Sequence, residues 1–159
     1  MAEYLWQKSN YKLMKGKWGI AILLEAGYRV VSDMTDLGQY RRLAERIYFQ
    51  STTIPYPQPQ CSQTMRDSEL ERFCDGLKMA AKYIYSAINI AEDVFLLINL
   101  RYIDFSICNV QEEAFMAAAI QWASEAFHFP MPNIKVYFDP TGSVEGMHNG
   151  GYVFDFLDV

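Results

Sequence analysis

Histidine is almost missing from this chain and cysteine is sparse; neither is spaced to bind a metal. The two histidines are His128 and His148, and the three cysteines are Cys61, Cys74 and Cys108. An odd number of widely spaced cysteines without a Cys-x-x-Cys pair argues against a disulfide framework or a zinc cage. It favours buried thiols in a reducing compartment. There is no Asn-x-Ser/Thr glycosylation site, no glycine-rich phosphate loop ending in Lys-Ser/Thr, and no Gly-x-Gly-x-x-Gly fingerprint. A His-Glu-x-x-His pair, a Gly-x-Ser-x-Gly elbow and an EF-hand loop are missing as well. The nucleotide, metal and hydrolase classes that depend on those patterns lose their usual support, so no cofactor is expected.

Long apolar runs are also missing. The segment Trp18 to Leu24 follows Lys12, Lys15 and Lys17, as in a signal peptide, but Glu25 interrupts it and no small-residue cleavage pattern follows. It falls far short of the ~20 apolar residues that cross a bilayer. The expectation is a soluble, cytoplasmic protein with no membrane contact.

What is present points to a packed globule. The 159 residues are 51% hydrophobic and 21% charged, with 11 Tyr, 10 Phe and 3 Trp, which suits one domain with a real core. So many rings suggest that some surface at a binding face. The formal charge of −5 is unevenly spread: residues 1–60 carry eight Lys/Arg and five Asp/Glu, residues 61–159 six and fourteen. The acidic part would repel phosphate, so a nucleic-acid partner is not expected and a basic protein partner is.

Three parts of one domain are expected: an N-terminal helix-and-strand layer (1–54), a Pro-rich connector (55–60) and a helix-strand-helix-hairpin core (61–159). In the first, WGIAILLEAG reads as a short helix closed by Gly27, YRVVSD as a strand, and DLGQYRRLAERIYFQ as an amphipathic helix. Its exposed side would carry Arg41, Arg42 and Arg46 as an ordinary solvated surface. Pro55, Pro57 and Pro59 alternate and read as an extended linker.

The clearest helix has Ser68 and Glu71 in capping-box positions. Its stripe is Leu70, Phe73, Leu77, Ala81, Ile84, Ile88 and Ala91, with Cys74 buried beside it. VFLLINLRYIDFSIC reads as a long strand whose alternation slips between Tyr102 and Ile103, which predicts a bulge or bend there. A second helix is expected from about Val110 to Phe127, ending before Pro130 and Pro132. Strands NIKVYFD and GYVFDFLDV should pair as an antiparallel hairpin across a glycine-rich loop. The fold class is therefore α+β: an antiparallel sheet of about three to five strands with helices packed on one face.

The densest group of reactive side chains is Cys108, Asn109, Glu112 and Glu113. Two carboxylates would raise the thiol's pKa instead of activating it, and adjacent glutamates on a helix diverge by ~100° and do not chelate. Asn109 as N-cap with Glu112 reaching back explains the pattern structurally, and Trp122 on the helix stripe reads as core. No catalytic or metal-binding residue is expected, and the chain reads as a non-enzyme.

Suspicion moves to the loop and its flanks, with Asp139, Glu145, Met147, His148, Asp155 and Asp158 as candidate partner-binding residues. The expected function is a small acidic protein-binding module. A concrete version is an immunity protein or antitoxin that covers a toxin's basic cleft. A structural or accessory subunit of a larger assembly, such as a phage or secretion component, is the alternative. An enzyme of unrecognised type, joining Cys108, His148 and a carboxylate, is the third.

Overall fold

The computed structural model describes residues 3–15, 18–32, 37–54, 65–105, 111–139 and 151–159. Strand β1 (Leu5–Lys15) pairs antiparallel with β2 (Trp18–Val31), in register from Leu5 opposite Tyr28 to Lys15 opposite Trp18. A turn of 3-10 helix at Leu37–Gln39 leads into a short hairpin of β3 (Arg41–Ala44) and β4 (Ile47–Ile54). Helix α1 (Asp67–Ala87) then precedes β5 (Phe95–Phe105), and α2 (Glu112–Phe127) precedes β6 (Lys135–Asp139) and β7 (Gly151–Asp155).

The fold is α+β. A five-stranded sheet has the order β1-β2-β5-β4-β3, and β6 and β7 form a separate two-stranded antiparallel ribbon. The five-stranded sheet is antiparallel except at β4–β5, a parallel pair whose connection contains α1, as parallel neighbours require a crossover.

The first sixty residues overturn two expected helices. WGIAILLEAG is part of β2. Its inward positions Ile20, Ile22, Leu24 and Ala26 are buried, but Ala21 and Leu23 are also apolar and conceal the period of two. A short apolar run does not distinguish strand from helix by period alone. Gly27 does not cap a helix: it faces Trp6, and a Cβ there would lie 2.6 Å from Trp6 Cε3.

The expected helix at DLGQYRRLAERIYFQ is replaced by the β3–β4 hairpin, which turns at Arg46 with a positive φ of 62°. Leu43, Ile47 and Phe49 are buried by alternation, a set that overlaps a helical stripe by chance. Arg41 reaches back to Glu71 on α1 in a two-pronged pair at 2.5 and 2.7 Å.

The remaining elements lie close to their expected places, with shifted details. Helix α1 is capped by Arg66 and Glu69, whose Oε1 accepts the Arg66 backbone N–H at 2.8 Å, and not by Ser68 and Glu71. Phe73, Leu77, Ala81 and Ile84 are buried on its stripe, whereas the helix ends at Ile88 and Ala91 is exposed. In β5 the irregularity falls at Arg101. Glu25 faces Tyr102 while Ala26 faces Leu100, so Arg101 is the extra residue. That bulge turns Ile103 and Phe105 to the face already occupied by Leu96, Ile98 and Leu100.

Both helices lie on one face of the sheet. Helix α2 is buried nearly all round, as a helix with apolar residues on every side must be; Phe115, Ala118, Ala119 and Trp122 are fully enclosed. Trp122 is core, as expected, and its Nε1 donates to the carbonyls of Ala26 at 3.0 Å and Gln7 at 3.2 Å, tying α2 to β1 and β2. Cys74 is buried, and burial pushes its thiol up to about 11, so it is neutral at ordinary pH. No helix among the described residues is long and apolar enough to cross a membrane.

Candidate functional site

The ribbon carries the described members of the expected partner-binding set. Partners across an antiparallel pair share a face. Val136 opposite Phe154 and Phe138 opposite Tyr152 point inward onto the core, with the Phe138 and Tyr152 rings edge to face at 5.6 Å. The outer face therefore holds Lys135 opposite Asp155, Tyr137 opposite Val153, and Asp139 opposite Gly151.

Tyr137 is 57% exposed in the middle of that face. Asp139 and Asp155 stand on the same face at opposite ends of the strand pair, roughly 13 Å apart at the usual rise per residue. Asp158 joins the Asp155 end, where it pairs with Lys135 at 3.2 Å, and Asp155 accepts the Leu157 backbone N–H at 2.9 Å. Glu145, Met147 and His148 lie outside the described residues, as do Cys108 and Asn109.

The ribbon is positioned by a residue that sequence reasoning passed over. Helix α2 begins at Glu112 with Gln111 as its N-cap, so Glu112 is not the capping partner three residues in that an Asn109 cap requires. The buried Gln111 side chain instead works as a one-residue strand. Its Nε2 donates to the Tyr152 carbonyl at 2.6 Å and its Oε1 accepts the Tyr152 N–H at 2.5 Å. Nothing local in the sequence signals this, because the partner lies 41 positions away. Glu112 approaches Arg72 on α1 at 3.8 Å, and Glu112 and Glu113 occupy the first turn, where the helix dipole favours them.

A second polar cluster, also unforeseen, lies at the Arg101 bulge, on the face of the five-stranded sheet that no described helix covers. Bulges re-aim side chains and recur beside functional sites. Glu25, only 5% exposed, accepts a hydrogen bond from Arg101, and Lys8 stands 4.0 Å away. The Arg101 guanidinium carbon lies 3.9 Å from the centre of the Trp6 ring and 5.0 Å from that of Tyr102. Farther along, Arg29 sits 4.9 Å over Tyr4, whose hydroxyl bonds that of Tyr40 at 2.6 Å. Burial and that bond hold the Tyr4 phenol well above its usual range. The one available signal was the slip in β5, which predicted a bulge without naming the side chain it presents.

Among the described residues, no group of three or more His, Cys, Asp or Glu side chains converges in a way that could hold a metal ion. His128 caps the end of α2. No protein-family model matches the chain, and no curated protein is significantly similar to it.

Proposed function

We propose that this chain is a small protein-binding module whose contact surface is the outer face of the β6–β7 ribbon. The supporting observation is Tyr137, exposed beside Val153 with Asp139 at one end of the face and Asp155 and Asp158 at the other. An aromatic centre with a charged rim is the usual anatomy of a recognition patch, and tyrosine is enriched among residues that carry binding energy. Its carboxylates suit a basic partner. The version that fits the acidic balance of residues 61–159 is an immunity protein or antitoxin covering the cleft of a toxin. A cleft that handles a polyanionic substrate is itself basic, and opposite charge speeds association. This role needs no catalytic residue and no cofactor, and it belongs to the cytoplasm.

The alternative, a structural or accessory subunit, calls for a contiguous apolar patch. Exposed apolar side chains are instead dispersed among the described residues. Leu5, Trp6 and Val30 are near one end of the β1–β2 hairpin, though Trp6 lies on the opposite face from Leu5; Met14 is near the other end, Met131 precedes β6, and Tyr137 and Leu157 are at the ribbon. That distribution favours the binding module.

The test is affinity capture from the native cell with the wild-type protein and with two variants, Tyr137→Ala and the combined Asp139→Asn, Asp155→Asn, Asp158→Asn. The expected result is a basic protein retained by the wild type, with each variant weakening the purified complex by about tenfold or more. Identical retention by all three forms would sink the proposal.

A further inference from the structure

We propose that the face of the five-stranded sheet that no described helix covers is a second docking surface, and that its occupant is an acidic, extended polypeptide segment. The proposal concerns a surface distinct from the ribbon and does not rest on the ribbon's role.

Charge is the first argument. The alternation of β1, β2 and β5 places Lys8, Lys12, Arg29 and Arg101 on this face against Glu25 and Asp104. The local balance is positive in a chain whose formal net charge is −5. Lys8 and Lys12 are exposed on the same side of one strand, roughly 13 Å apart at the usual rise. Carboxylates four residues apart on an extended segment have the same spacing.

Pre-organisation is the second. Arg101 is held by Glu25 and by the Trp6 and Tyr102 rings, and Arg29 by Tyr4 and Tyr40. A guanidinium already fixed against rings loses little freedom when it takes a carboxylate. Tryptophan, tyrosine and arginine are also the residue types that dominate binding hot spots.

Contacts already made on this face separate the possible occupants. Trp6, 37% exposed, packs on Gly27 and carries Arg101 over its ring, so a nucleobase would have to displace the guanidinium to stack there. Strand addition at β1 is opposed too, because the Lys8 and Asn10 carbonyls accept from the side-chain amides of Gln7 and Gln121 at 2.7 and 3.0 Å. A polypeptide lying across the face and offering carboxylates is the chemistry that remains.

The experiment uses a dye-labelled peptide of about a dozen residues alternating Glu and Thr, its Gln-for-Glu counterpart, and an oligouridylate of equal length, with binding read by fluorescence anisotropy. The expected results are salt-sensitive binding of the Glu peptide and none of the Gln peptide. The combined Lys8→Gln, Lys12→Gln variant should lose about tenfold in affinity, with its circular dichroism unchanged. Tyr137→Ala should bind as the wild type does, which separates this surface from the ribbon. No binding of the Glu peptide at low salt, equal binding of the Gln peptide, tighter binding of oligouridylate, or unchanged affinity in the lysine variant would each overturn the proposal.

Discussion

At residue scale, two backbone positions and one thiol give the sharpest expectations. His128 ends α2 in the left-handed region, with φ 59° and ψ 49°, where a Cβ is penalised by ~1–2 kcal/mol and glycine is the usual occupant. His128→Gly should therefore raise the unfolding free energy by roughly 0.5 kcal/mol after its larger unfolded-state entropy is subtracted, read as a higher urea midpoint. Gly76 answers to the opposite logic. A Cβ there would run into the Met116 backbone and lie 2.9 Å from the Ala119 Cβ, at the crossing of α1 and α2. Gly76→Ala should cost about 1–3 kcal/mol through forced separation of the helices, seen in the same titration. Cys74 and Tyr11 are both pushed up by burial, from 9.0 to about 11 and from 10.0 to about 12. Groups with raised folded pKa values favour the folded state fully below the unfolded pKa, and that contribution is lost as pH rises towards the folded value. Stability should thus fall progressively between pH 9 and 12, and Cys74→Ala should flatten the early part of that fall in melts across the range.

At the scale of elements, α2 is held at its start and within its second half by side chains that bond backbone groups of other elements. Trp122 donates to two strands and Gln111 pairs with Tyr152. Gln111→Ala leaves the buried Tyr152 groups unpaired, which should cost about 1–3 kcal/mol. It should also speed hydrogen exchange in β7 before the five-stranded sheet is affected. Elements with strong periodicity were legible beforehand: α1, α2, β5 and the β6–β7 hairpin fall within a few residues of expectation. Their caps were less so, since Arg66 and Gln111 are not usual capping residues and were displaced by better-looking candidates nearby. The segments misread as helices, Trp18 to Gly27 of β2 and the β3–β4 hairpin, have apolar residues at both parities or overlapping stripes, so local pattern underdetermines them. The extra residue in β5 was detectable because a slip of one position flips every following side chain. Its identity as Arg101 required the partner strands.

At the scale of the whole molecule, the sheet, helices and ribbon share one contiguous core that runs from Tyr11 to Tyr152. Far-ultraviolet dichroism and tryptophan fluorescence should accordingly report coincident unfolding transitions; separated midpoints would show that the molecule does not unfold as one unit. Charge is arranged with an acidic rim on the outer ribbon face and a basic balance on the opposite sheet face, so the two proposed docking surfaces would take partners of opposite sign. Asp139, Asp155 and Asp158 were singled out from the sequence as candidates, but the relation of the first two to Tyr137 was not legible there, because it depends on which ribbon face packs inward. Length, composition and periodicity by themselves determined an α+β globule, the two helices, the long fifth strand and the C-terminal hairpin. These follow from local burial patterns that recur every two or nearly four residues. Only the tertiary structure decided that the N-terminal third is sheet beyond the strand expected at YRVVSD, that Arg101 and Glu25 meet on the face no described helix covers, and that Gln111 seats the ribbon. Those outcomes depend on pairings between residues 41 and 76 positions apart, and sequence proximity carries no record of such pairings.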